Sequence, residues 1–193
     1  MSEYIRLVKP DDSQEILNLY APFITDTAVS FEYEIPGVQE FTDRIQHIAE
    51  EYPYLVYVKD ERIIGYAYAH RYLERAAYQW DVEVTIYLAD AAQGLGIGKR
   101  LYEALEELLQ IQGIKNLYSC ITASNEQSIK FHEKCGYRLI GTFNKAGYKA
   151  GCWQDVVWME KNISPCLNNP QLPQKIKETA EEKITAVLTK YQQ

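Results

Sequence analysis

Trp80-Asp81-Val82-Glu83-Val84-Thr85-Ile86-Tyr87-Leu88, followed a short step later by Gln93-Gly94-Leu95-Gly96-Ile97-Gly98, is the stretch that organises the chain. The first run alternates, which predicts a strand with Val82, Val84, Ile86 and Leu88 on one face and Asp81, Glu83, Thr85 and Tyr87 on the other. Glu83 therefore sits mid-strand, opposite the most apolar face. The second run is a glycine-rich turn, and beyond it Leu101, Leu105, Leu108 and Leu109 recur at helical spacing up to a C-cap at Gly113. Strand, glycine turn and helix in succession aim backbone N–H groups and a helix dipole at an anion, for which a pyrophosphate is the natural guest. A Walker loop would need glycine at Gln93 and Ser or Thr at Arg100, and a dinucleotide fingerprint lacks its last glycine at Leu101 or Lys99. The plain alternative is a tight turn that uses glycine only for its backbone angles.

On the N-terminal side, residues 4–8 alternate as a short strand, and Asp11-Asp12-Ser13 offer N-cap oxygens to a helix through Ile16, Leu19 and Tyr20 that Pro22 ends or distorts. After an irregular stretch, Phe41, Ile45 and Ile48 mark a second helix, closed by Tyr52-Pro53. Residues 54–59 and 63–70 are β-rich runs split by Asp60-Glu61-Arg62, a hairpin. On the C-terminal side, residues 117–121 read as a buried strand, 125–135 as a helix stopped by Gly136, and 137–143 and 153–159 as two more strands. The pattern is a mixed sheet with helices on it. Residues 1–163 are expected to form one domain and 164–193 an extension, with Pro165, Pro170 and Pro173 leading into a polar helical segment. Its apolar stripe of Ile176, Ala180, Ile184, Val187 and Leu188 suits docking on the domain or on another chain.

Composition narrows the function. A chain of 193 residues, nearly half of them apolar, can bury one substantial core, and a net charge of -7 argues against a nucleic-acid partner, which needs a basic surface. No apolar stretch approaches the length of a bilayer span, and Met1-Ser2-Glu3-Tyr4 lacks a basic-then-apolar leader, so the expectation is a cytoplasmic protein with no membrane partner. Cys120, Cys135, Cys152 and Cys166 show no CxxC spacing and read as reduced packing residues, and no His and Cys cluster has metal-ligand spacing, so no metal is predicted.

Gln93-x-x-Gly96-x-Gly98 resembles the pyrophosphate loop of the GCN5-related N-acetyltransferases. Asn125-Glu126-Gln127-Ser128-Ile129-Lys130-Phe131-His132-Glu133-Lys134-Cys135-Gly136-Tyr137 is similar to the same superfamily's next signature, in order and at sensible separation. The resemblance implies the acyl-CoA N-acyltransferase fold, an α/β (α+β) arrangement with a mixed, mostly antiparallel twisted sheet of about seven strands flanked by helices. It also implies acetyl-CoA as cosubstrate. Strands 80–88 and 117–121 would splay apart around the pantetheine arm, which the backbone of Ile86, Tyr87 and Leu88 would pair with as an added strand does. Gln93, Gly94, Leu95, Gly96, Ile97, Gly98 and Lys99 would hold the pyrophosphate, with Asn125, Ser128 and Lys134 completing the cofactor side. Lys99, Arg100, Lys130 and Lys134 would offset the acidic net charge locally, ordinary solvated helix faces being the competing explanation.

Three further segments sharpen the match: Val29-Ser30-Phe31; Arg75-Ala76-Ala77-Tyr78-Gln79-Trp80-Asp81-Val82-Glu83; and Ala146-Gly147-Tyr148-Lys149-x-Gly151-x-Trp153-x-Asp155-Val156. Together they resemble the phosphinothricin and methionine sulfoximine acetyltransferase family over residues 4–161, leaving the tail unexplained. That likeness implies a homodimer and acetylation of the α-amino group of a small amino-acid analogue with a tetrahedral phosphorus or sulfur centre. An amine must lose a proton before attacking a thioester, and Glu83, matching the family's catalytic glutamate, is the candidate base; the alternative is a solvated glutamate on an exposed sheet face. His132 stands where many superfamily members carry a tyrosine that protonates the departing thiolate, and a histidine titrating near neutrality serves as acid or base; otherwise it is a capping histidine near a helix C-terminus. Arg75, Ala76, Ala77 and Tyr78 form a loop assigned to substrate recognition, because a guanidinium suits an anionic group. Phe31 and Tyr148 would be apolar walls of the substrate site, or core aromatics. The competing readings are the same fold acting on another small amine or a peptide N-terminus, a non-catalytic acyl-CoA sensor, and a structural protein that binds no coenzyme A.

Overall fold

The computed structural model describes residues 3–192. Strands β1 (Glu3–Leu7), β2 (Tyr54–Lys59), β3 (Arg62–Arg71), β4 (Asp81–Leu88), β5 (Asn116–Thr122), β6 (Arg138–Lys149) and β7 (Cys152–Asn162) form one sheet in the order β1-β2-β3-β4-β5-β7-β6. Every neighbouring pair is antiparallel except β4 and β5. Helices α1 (Ser13–Thr25) and α2 (Val38–Glu51) cover one face, and α3 (Ile97–Gln112) covers the other. Two short helices complete the set, α4 (Glu126–Lys134) and α5 (Glu181–Lys190).

Alternation along the strands feeds two cores. On one face Ile16, Leu17, Phe41 and Ile45 of the helices meet Tyr54, Val56 and Tyr66 of the sheet. On the other, Leu101, Leu105 and Leu108 pack on Leu55, Ala67, Val82 and Leu117, all at or near zero exposure. Burial of these side chains is the main stabilising term, roughly 1.5–3 kcal/mol for each large aliphatic residue.

The parallel pair positions the site. β4 and β5 pair only at Asp81 with Asn116, Val82 with Leu117 and Glu83 with Tyr118. Beyond that point β4 stays on β3 as far as Leu88, while β5 stays on β7 as far as Thr122. The two strands therefore part after Glu83 and Tyr118, leaving the β5-facing backbone of the end of β4 without a strand partner.

Four local expectations are corrected. α1 continues past Pro22, because a proline removes only its own N–H; its carbonyl still accepts the Asp26 N–H at 2.9 Å. The Asp12 carboxylate does not cap α1 but takes the Arg6 guanidinium at 2.6 and 2.8 Å and the Lys9 N–H at 2.7 Å. β6 runs on to Lys149 through a bulge with Lys145 at φ +51°, so Gly147 and Tyr148 lie on a strand. The tail helix is divided into a 3-10 turn (Ile176–Glu178) and α5, with Ala180 exposed between them.

The tail lies against its own chain. Ile176 and Val187 are buried, the latter in the α3-side core. The Trp80 indole N–H donates to the Gln171 carbonyl at 2.9 Å, and the Gln112 amide donates to the Glu51 and Gln174 carbonyls at 2.8 Å each.

Candidate active site

The glycine turn closes the mouth of the opened strand pair. Gly96, the N-cap of α3, has φ +78°, a left-handed conformation that a side chain would strain. Behind it α3 begins, with its first N–H groups directed at the groove. The groove, about 400 Å³, is lined by the predicted cofactor residues Ile86, Tyr87, Leu88, Gln93, Gly94, Gly96, Ile97, Gly98, Lys99, Asn125 and Ser128. Leu95, at the exposed tip of the turn, and Lys134, at the far end of α4, do not line it. Asn125 caps α4, its side-chain oxygen accepting the Ser128 N–H at 3.1 Å, which fixes both residues at the groove wall.

The groove opens into a second cavity of about 420 Å³, shared at Val29, Ile86, Tyr87, Asn125 and Ser128. Glu83 lines it from one face of the sheet, and Tyr102, Ser119 and His132 line it from the other. Glu83 is half-buried, and burial raises its carboxyl above the ordinary carboxylate value. His70, its register partner on β3, opposes that rise electrostatically.

His132 is 2 % exposed, and both ring nitrogens are engaged. Nδ1 lies 2.8 Å from the Ser128 carbonyl, which only accepts, so Nδ1 carries the hydrogen and Nε2 accepts from the Tyr102 hydroxyl at 2.9 Å. Burial lowers the imidazole to about 4, so it is neutral at pH 7, which corrects the expectation of a group titrating near neutrality.

Val29, Ser30, Phe31 and Glu32 form the lip of the cavity. The Tyr20 hydroxyl bonds Ser30 Oγ at 2.7 Å and donates to Glu32 at 3.2 Å, and Thr122 Oγ1 donates to the Ala28 carbonyl at 2.8 Å. Phe31 reaches the cavity, and its ring lies over Gly147 so closely that a Cβ there would stand 2.2 Å from it. Tyr148 does not line the cavity; its ring packs edge-on to Trp153, and its carbonyl accepts the Tyr33 hydroxyl.

Arg75, Ala76, Ala77 and Tyr78 are all exposed on a 3-10 turn outside the cavity. The turn is joined to the site through rings: Tyr78 meets Tyr72 at 6.3 Å, and Tyr72 stacks at 4.3 Å on Tyr118, the register partner of Glu83. Tyr20, His70, Tyr102 and Ser119 border the cavity without having been singled out by sequence. The readable signal was Ser119, a hydroxyl on the inward parity of Leu117 and Ile121. Among the described residues no group of three or more His, Cys, Asp or Glu is arranged to hold a metal, and no helix is long and apolar enough to cross a membrane.

A sheet prised open between two parallel strands, with a glycine turn and helix start at its mouth and a carboxylate at its apex, defines an acyl-CoA-dependent transferase. Residues 5–158 match the acetyltransferase (GNAT) domain, and the chain belongs to the GNAT acetyltransferase family. It is an acetyl-CoA-dependent N-acetyltransferase. Phosphinothricin N-acetyltransferase of Streptomyces viridochromogenes is 34% identical over 82% of this chain and 87% of its own length. L-methionine sulfoximine/L-methionine sulfone acetyltransferase of Pseudomonas aeruginosa is 30% identical over 56% of this chain and 63% of its own. The crystal structure of a phosphinothricin acetyltransferase from Sinorhizobium meliloti in complex with acetyl-CoA superposes with a TM-score of 0.79 at 30% identity, covering 84% of this chain and 89% of that one.

Proposed function

We propose that the chain moves the acetyl group of acetyl-CoA to the α-amino group of a small amino-acid analogue of the phosphinothricin, methionine sulfoximine or methionine sulfone type, by direct attack in a ternary complex. The observation that carries this reading is the continuity of the two cavities, with Glu83 at the apex where they meet the parted strands. The names of the relatives supply the substrate class.

In this reading the pyrophosphate of acetyl-CoA sits on the N–H groups of the turn from Gln93 to Gly98, beside Lys99, and the pantetheine adds to the free edge of β4 at Ile86, Tyr87 and Leu88. Asn125 and Ser128 line its other side, with Leu95 and Lys134 reaching the cofactor only at its outer, solvated end. Glu83, its carboxyl raised by burial toward the working pH, takes the proton of the amine, directly or through a water. His132 acts as a neutral imidazole that accepts the Tyr102 hydroxyl and holds it at the floor of the site. Phe31 walls the acceptor pocket, and the turn of Arg75, Ala76, Ala77 and Tyr78, outside the cavity, meets the acid end of an acceptor that extends past its rim, with Tyr148 on the outer strand beyond Phe31. A homodimer fits the exposed Leu73, Ile140 and Phe143, which border one shallow pocket with Tyr72 and Trp158, an apolar surface of the kind that pairs chains. A cytoplasmic, reduced setting suits the four free cysteines.

A second acceptor class, a small cationic amine, is favoured by one observation: among the described residues the cavity is bordered by Glu32 and Glu83 and by no lysine or arginine. Thiol release from acetyl-CoA, measured with L-phosphinothricin, L-methionine sulfoximine, L-methionine sulfone, spermidine and a peptide, separates the two. Turnover confined to the amino-acid analogues supports the first reading. Turnover of spermidine alone overturns it.

A further inference from the structure

Ser119 Oγ is the one buried side-chain oxygen bordering the site cavity that has no hydrogen-bond partner among the described residues. Its side chain is 1 % exposed, and a buried hydroxyl left unpaired costs stability unless something bound there completes it. Ser119 is also the first residue of β5 beyond the last pairing with β4, that of Glu83 and Tyr118, so it stands at the apex of the parted strands. Glu83 borders the apex from the opposite face.

The neighbouring groups are already committed. The Tyr102 hydrogen is directed at His132 Nε2, and the His132 Nδ1 hydrogen at the Ser128 carbonyl. Thr122 donates to the Ala28 carbonyl. Ser119 approaches the Tyr102 phenol closely enough to favour its ionised form, although the pair falls short of hydrogen-bond geometry. On the α3 side, two hydroxyls bordering the cavity keep a free hydrogen: Ser128, whose Oγ can only accept at 3.3 Å from the His132 Nδ1–H, and Ser119, which alone of the two stands where the strands part.

We infer that Ser119 is a catalytic hydroxyl that donates its hydrogen bond to the sulfur of coenzyme A as the thioester breaks. The inference rests on the direct-attack reading above. The amine nitrogen forms its bond to the carbonyl carbon, the carbon–sulfur bond breaks, and sulfur leaves with the electron pair as thiolate. The amine proton goes to Glu83, and Ser119 keeps its own, stabilising the anion electrostatically. The Tyr102–His132 pair fixes the floor against which the serine sits.

The test is Ser119→Ala beside the unchanged protein, with three readings: the pH titration of bound coenzyme A followed by thiolate absorbance, kcat with acetyl-CoA, and melting temperature. The bound thiol is expected to ionise about one to two pH units higher in the variant, and kcat to fall about 10- to 100-fold, as for loss of a hydrogen bond to a charged group. Because Ser119 has no partner in the free protein, the melting temperature should hold or rise. A thiol titration identical in the two proteins overturns the proposal, as does a melting temperature that falls with kcat, which would assign the hydroxyl a structural bond. If the unchanged protein turns over none of the amino acids while the thiol titration still differs, the acceptor reading fails and the role of Ser119 stands.

Discussion

The Tyr102 hydroxyl and Nε2 of His132 lie 2.9 Å apart, joining α3 to α4 beneath the site. In the direction from tyrosine to nitrogen the bond needs a neutral imidazole, since a second ring hydrogen would turn Nε2 from acceptor into donor.

Acid should therefore loosen this region. His132 binds a proton at about 4 in the folded protein, against an ordinary 6.5, so between those values the unfolded chain holds more protons and stability falls as pH drops. The loss between pH 6.5 and 4 should reach about 3 kcal/mol. Urea unfolding of His132→Gln should lose that part of the acid slope; an unchanged slope would show that the histidine titrates normally.

Glu83→Gln should lower kcat by on the order of 100-fold or more while acetyl-CoA binding, followed calorimetrically, stays as it was. Burial penalises the Glu83 charge, so the variant should also melt higher at neutral pH. The acid limb of the rate profile, set above the usual carboxylate range, should vanish with it. Retained turnover would remove Glu83 from the mechanism.

Arg75→Ala should raise the KM of an acid-bearing acceptor about tenfold or more, with the acetyl-CoA KM unmoved. The deciding comparison is an acceptor lacking the acid group: an equal rise there would mean that the turn is merely disturbed.

Gly147→Ala sets a Cβ against the Phe31 ring. The ring is 36% exposed and can swing outward, so stability should fall by only about 1 kcal/mol, the low end for an overpacked contact. The acceptor KM should rise, because the ring also borders the cavity. Parallel steady-state assays varying each substrate check this, and a shift in the acetyl-CoA KM alone would count against Phe31 as an acceptor wall.

Local pattern carried much of this architecture. Alternation put Glu83 and Val82 on opposite faces of β4, and the left-handed positions at Gly96, Gly113 and Gly136 fell where turns were expected. Contacts between distant elements were not legible. Tyr102 sits among leucines on α3 and reads as core until α4 brings His132 to it. The length of β6 was hidden because nearly all of its residues are exposed, so no buried parity marks them. Arg75 follows the same logic in reverse: its nearness to the catalytic strand in sequence does not bring it into the cavity, since the chain turns outward at Ala76–Tyr78 before entering β4.

The bond from Trp80 to Gln171 fastens the C-terminal segment to the residue just before β4, where the strand pair is still joined. The Trp80 carbonyl accepts the Lys115 N–H at 2.8 Å, and the Lys115 carbonyl accepts the Ile163 N–H at 2.8 Å, so the same clasp reaches the root of β5. A segment beyond the matched domain thus grips the pivot of the wedge from behind, and every group of the site is left untouched. The root from which the two strands part is held by a stretch of chain that contributes none of the residues lining either cavity.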